Sequence, residues 1–248
     1  MQKKILIVDD HDDLASLLTR KFTEFGHSVT TVESRDKAVD LIERERFSIV
    51  ISDLDGVPDT DSADDRSAIK SFKLSVNDFN ESGCTEEELK QCIEITLNCK
   101  SECVDNLATV QAVHEKIEFE VPSLISLMHD ILAYLMRRVE KVGVINPETS
   151  NLFIALDEAF VNAVKHGNKF DSAKLVRISA DVSPDEARFT IEDEGDGFDV
   201  SEIPDPLDPV NLFKTSGRGV LFIYNIMDEV SYNDRGNRLT MVKRPERP

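Results

Sequence analysis

The first half of the chain alternates short apolar runs with helical stripes. Lys3 to Val8 is an apolar run ending in Asp9-Asp10, the pattern of a strand buried on both faces. Asp12 to Phe25 places Leu14, Leu17, Leu18, Phe22 and Phe25 on one helical face, and Gly26 stops the helix. His27 to Val32 predicts a second strand. Ser34 can cap a helix running through Arg46, with Ala38, Leu41 and Ile42 facing the core. Phe47 to Ile51 predicts a third strand, ending at Ser52-Asp53. An acidic loop follows, then Ala68 to Val76 as one strand. After Gly83, a capping box at Thr85–Glu88 opens a long helix that reaches about Val110. This rhythm predicts a doubly wound parallel sheet, with function at the carboxyl ends of its strands, where Asp9, Asp10 and Asp53 would meet.

The second half has a different rhythm. His114 to Val121 alternates as a strand and Pro122 ends it. Ser123 is placed to cap a helix from Leu124 to Lys141, with Leu127, Ile131, Leu135 and Val139 inward. Asn146-Pro147-Glu148 begins a central helix through Gly167. Leu175–Val182 and Ala187–Glu192 read as two strands joined by a short turn. Ser231-Tyr232 and Arg238–Lys243 form a last hairpin around Asn233–Asn237. This is a helix layer on a mixed sheet.

Composition removes some function classes. The formal net charge is −19, and both parts are acidic: 24 acidic against 13 basic residues in 1–106, and 24 against 16 in the rest. Such a field repels a phosphate backbone, which argues against nucleic-acid binding. No apolar run is long enough to span a bilayer, and the first residues lack the apolar core of a signal peptide, so a cytoplasmic protein is expected. Cys84, Cys92, Cys99 and Cys103 share one face of the long helix. They read as small hydrophobes, since no histidine nearby completes a zinc set.

The chemistry concentrates in Leu152 to Gly167. Phe153, Leu156, Phe160 and Val164 recur at helical spacing and face a core, while Glu158, Asn162 and His166 recur every four residues along another edge. An Asn and a Glu one turn apart suit a hydrated Mg2+ and a hydroxyl awaiting deprotonation. Taken alone, the stripe also fits a solvated polar edge. Downstream, a strand end runs into Asp193-Glu194-Gly195-Asp196-Gly197, and Ser216-Gly217-Arg218-Gly219 opens an apolar helical run.

ExxxNxxxHG, then DxGxG, then GxG at a helix start together resemble the GHKL (Bergerat-fold) ATP-binding domain over roughly residues 112–244. The short form is similar to the anti-sigma factor/serine-protein kinase branch. The resemblance implies ATP and Mg2+ as cofactors. Glu158 would be the general base toward a protein serine, Asn162 the Mg2+ ligand and Asp193 the acceptor of the adenine amino group. Gly195 and Gly197 would allow close approach to base and ribose, Gly217, Arg218 and Gly219 would hold phosphates, and His166 would sit at a common structural position. Asp199 to Ser216, with Pro204, Pro206 and Pro209, would be a mobile lid.

The N-terminal half resembles the receiver domain of bacterial response regulators. That likeness implies Asp9 and Asp10 as Mg2+ ligands and Asp53 as phosphoacceptor; strand-end acids acting only as solvated turn residues are the alternative. About thirty residues of a full receiver are missing. No switch Ser/Thr is evident, and the family's lysine falls on Asn77 unless Lys73 replaces it.

The expected fold class is therefore α/β. A truncated receiver-like domain over residues 1–106 precedes an α/β-sandwich Bergerat domain over residues 112–248. The resemblance implies a serine-protein kinase that phosphorylates a STAS-type anti-sigma antagonist and sequesters a sigma factor. It would act as a homodimer, with the receiver-like half as input and a sensor histidine kinase upstream. A nucleotide-dependent sequestering protein without turnover is the alternative. A histidine kinase using His129 fits less well, because His129 lies only 33 residues before Asn162.

Overall fold

The computed structural model describes residues 2–11, 13–56, 69–77, 79–80, 83–105, 114–146, 149–200 and 218–245. Its elements, in chain order, are β1 (Lys4–Asp9), α1 (Asp13–Glu24), β2 (Ser28–Val32), α2 (Arg35–Ile42), β3 (Ile49–Gly56), β4 (Ile69–Val76) and α3 (Glu86–Asp105). Then come β5 (His114–Pro122), α4 (Met128–Val142), α5 (Leu152–Asn162), β6 (Leu175–Val182), β7 (Ala187–Asp193), α6 (Arg218–Ile226), β8 (Glu229–Tyr232) and β9 (Arg238–Lys243).

All nine strands form one mixed sheet, in the order β2-β1-β3-β4-β5-β6-β7-β9-β8. The parallel run expected from the alternating pattern holds for β2-β1-β3. It stops at β4, which is antiparallel to β3 and parallel to β5. This pairing carries the sheet without a break from the N-terminal half into the C-terminal half.

One face of the sheet holds the main core. Ile5, Ile7, Ile51, Leu74, Phe119 and Ile178 point to it and are covered by a layer in which α1 packs on α3, α3 on α4, α4 on α5, and α5 on α6. The other face is covered at β1 and β3 by α2, over Leu6, Val8, Ala38 and Phe47. Along β4 to β6 that face is polar, tied by Lys73–Glu120 (3.2 Å), Lys116–Glu118 (3.0 Å) and Arg177–Glu194 (2.7 Å). Among the described residues no helix is long and apolar enough to cross a membrane.

Several local expectations need correction. Phe25 and Ile42, read as core positions, are about half exposed, because α1 ends at Glu24 and α2 at Ile42. Ser123 caps no helix: its hydroxyl donates to Lys174 O (2.9 Å), and a 3-10 turn over Ile125–Leu127 leads into α4. The central helix starts at Leu152, whose N–H is taken by Ser150 Oγ (3.2 Å), rather than at Asn146. The capping box is present as read. Thr85 N–H donates to Glu88 Oε2 (3.1 Å) and Glu88 N–H to Thr85 Oγ1 (3.2 Å), holding the Glu88 carboxyl down at about 2.

Candidate nucleotide site

The central helix arises as its apolar period suggests. Leu156 and Phe160 on α5 and Val164 just beyond it are buried, so Glu158 and Asn162 are turned to the opposite side. After Asn162 the backbone widens into a π turn over Ala163–Gly167, closed by Asn168 N–H to Ala163 O (2.8 Å). Such widenings re-aim side chains and often mark functional sites. Here the turn delivers His166 and Gly167 to the rim of the cavity that Glu158 and Asn162 line.

That cavity has a volume of about 710 Å³, and its lining also includes Asp193, Gly197, Phe198, Gly219, Tyr232 and Asn237. Groups 35 residues and more apart in the chain therefore meet in one concavity of nucleotide size.

Asp193 ends β7. Its Oδ1 accepts the Gly195 N–H (2.8 Å), its backbone N–H donates to Asn237 O (3.0 Å), and its carbonyl accepts from Asn237 Nδ2 (2.7 Å). Desolvation raises its carboxyl above the ordinary aspartate value, and the Gly195 N–H reverses this only in part. A Cβ at Gly167 would overlap the Asp193 carboxylate, and one at Gly195 would overlap the Gly167 carbonyl. Only glycine at both places leaves the acid this close to the helix end.

The next loop is locked in the same way. Gly197 has φ +78°, a Cβ there would overlap Arg235 O, and Phe198 N–H donates to that same oxygen (3.1 Å). Phe198 and Tyr232 stack edge to face, 5.3 Å between centroids, to form an aromatic wall.

Arg218 opens α6 at the other side of the cavity, and Gly219 packs so tightly on Glu158 that a Cβ would overlap Oε2. Gly217, and the expected lid apart from Asp199 and Val200, lie outside the described residues. The glycine-lined cradle around Asp193 and the carboxamide–carboxylate pair Asn162 and Glu158 fit an adenine nucleotide with a divalent cation. The sequence reading missed Asn168 and Asn237, two buried amides that carry the loops, and the Phe198–Tyr232 wall.

The N-terminal acids are arranged differently. Asp9 and Asp53 are paired in register on the core face of the sheet. Asp9 is buried, with Oδ1 accepting from His11 N–H (3.0 Å) and Oδ2 from Ala15 N–H (2.7 Å). Asp53 accepts from Lys100 Nζ at 2.5 Å, and that buried ammonium also lies over the Phe72 ring, 5.5 Å from its centroid. Burial raises the Asp53 carboxyl, and Lys100 pulls it back in part. Asp10 is exposed.

No group of three or more acid, histidine or cysteine side chains among the described residues is arranged to hold a metal ion. Asp9 accepts N–H groups at the start of α1, and the Lys100 ammonium, rather than a lysine on β4, stands against Asp53. Lys73 cannot substitute, because it pairs in register with Ser52 and so faces away from Asp53, toward Glu118 and Glu120.

Cys92 and Cys99 are buried with their thiols pushed up to about 12 and about 11 by desolvation, in keeping with packing rather than metal binding. His129 is exposed and meets only the edge of Phe153 among the contacts described.

Comparison with known proteins bears on the same region. Residues 121–243 match the histidine kinase-like ATPase domain. The matched span of this ATPase-like domain runs from the end of β5 to the end of β9 and contains every cavity residue named above. The chain is also 27% identical over 142 residues to the serine-protein kinase RsbW of Staphylococcus aureus strain JH9 and, equally, to that of Staphylococcus epidermidis. Each alignment covers 54% of this chain and 89% of the relative. The nine-stranded mixed sheet with its helix layer is consistent with the Bergerat fold of such ATPase domains.

Proposed function

We propose that the protein is an ATP-dependent serine-protein kinase of the anti-sigma type. The observation that carries this reading is the convergence of Glu158, Asn162, Asp193 and Gly219 on one cavity. The similarity to serine-protein kinases over the ATPase-like domain supports it.

In this reading Asp193 accepts the adenine amino group, and the absence of a Cβ at Gly167 and Gly195 leaves room for its carboxylate beside the helix end. Asn162 offers its carboxamide oxygen to Mg2+, which when bound supplies charge neutralisation for the triphosphate. Glu158 takes the proton of the incoming serine hydroxyl. The backbone N–H groups at the start of α6 face the phosphates.

The substrate would be a serine of an anti-sigma antagonist of STAS type, and the unmodified state would hold a sigma factor as a dimer. The N-terminal half would be the regulatory input, acting through the shared sheet and core. Metal-dependent phosphoryl acceptance at Asp53 finds no support in the Lys100 pairing.

The packing of Gly219 on Glu158 favours a second reading, in which the nucleotide controls binding without turnover. Incubation with γ-labelled ATP and a candidate antagonist separates the two. Label on a serine, reduced at least about 100-fold by Glu158→Ala with ATP affinity retained, supports the kinase. Nucleotide-dependent binding with no label supports the second reading.

A further inference from the structure

Asn168 does not line the cavity, yet it joins the parts that do. It is fully buried, and both amino protons and the oxygen of its carboxamide are used. Oδ1 accepts the Glu194 N–H (2.8 Å), while Nδ2 donates to Ser123 Oγ (2.6 Å) and Leu175 O (2.9 Å). Its backbone N–H closes the π turn that follows Asn162.

β6 and β7 stop pairing at Val176 and Asp193, so the Glu194 N–H has no strand partner. The Asn168 side chain takes that place. Glu194 is held from its other end as well, its carboxylate accepting from Leu175 N–H (3.0 Å) and Arg177 (2.7 Å). The peptide that follows Asp193 is thereby fixed to the end of the helix that carries Glu158 and Asn162.

We propose that Asn168 is a positioning residue for base selection. By holding the Asp193–Glu194 peptide against the π turn, it keeps the acceptor-only Asp193 carboxylate where it meets a purine amino group and repels a purine carbonyl. A carboxamide suits the place because it alone among small side chains supplies two donors and an acceptor in one plane. The inference rests on the nucleotide reading of the cavity.

The test is the ratio of ATP to GTP dissociation constants for the full-length protein, by titration calorimetry, in wild type, Asn168→Ala and Ser123→Ala. Near-UV circular dichroism selects the folded variants. Wild type prefers ATP. Asn168→Ala loses about 10-fold or more of that preference while GTP affinity changes less than about 3-fold, and Ser123→Ala, which removes one support of the Asn168 amide, falls between. A purely structural role would lower stability and leave the ratio unmoved.

An unchanged ratio in folded Asn168→Ala overturns the proposal, as does a wild type without preference for ATP. Should Asn168→Ala fail to fold, an unchanged ratio in Ser123→Ala overturns it. A wild type that binds neither nucleotide overturns the nucleotide reading itself.

Discussion

A carboxylate at a strand end is ordinarily solvated, but Asp193 is enclosed by Gly167, Gly195 and the Asn237 amide. Its raised pKa follows from that enclosure and gives two opposite pH effects. Below its folded pKa the group is protonated and no longer a pure acceptor, so adenine binding weakens as pH falls, sooner than an exposed aspartate near 3.9 would require. The folded state holds this proton above the unfolded value, so the group's contribution to stability declines as pH rises through the same window. A titration of adenine-nucleotide affinity with falling pH should show the loss setting in above the ordinary aspartate value. Affinity that stays flat until the ordinary value would contradict the enclosure.

At the scale of elements, α3 decides what the N-terminal acids do. Its Thr96 and Lys100 are buried along with Leu89, Ile93 and Leu97, so the helix brings an ammonium to the strand end where a metal ion was expected. Removing Asp53 leaves that charge buried and unpaired. Asp53→Ala should therefore destabilise the protein by about 3 kcal/mol or more, measured as a lower urea midpoint; a midpoint unchanged from wild type would mean that Lys100 finds solvent instead.

Nothing local in the sequence marks Lys100, which sits in a helix whose cysteines and glutamates dominate the pattern. The same holds for β4: alternation names a strand but not its direction, and its antiparallel pairing with β3 follows from the partner it finds in β5. Polar residues after a helix carry no burial signal, so nothing in the sequence marks Asn168, which is buried with three side-chain hydrogen bonds. What was legible was what repeats: the apolar period of α5, the four-residue spacing of Glu158, Asn162 and His166, and the glycines after Asp193.

At the scale of the molecule, the sheet and its helix layer make one continuous core from β1 to β9. Phe72 of β4 packs with Phe119 of β5 and Tyr134 of α4, with ring centroids 6.2 and 6.0 Å away, and Lys100 rests on the same Phe72 ring. The Asp53 pair and the layer that carries the nucleotide cavity thus share packed side chains. That physical continuity is the route by which a change at one would reach the other.

The central claim is that the cavity between α5, β7 and α6 grips an adenine nucleotide through Asp193. Titration calorimetry of the full chain with ATP and Mg2+, in wild type and Asp193→Ala, tests it most directly. The account predicts a one-site isotherm in the wild type and its loss in the variant, with both proteins folded; ATP binding of equal strength in the two, or none in the wild type, would contradict it.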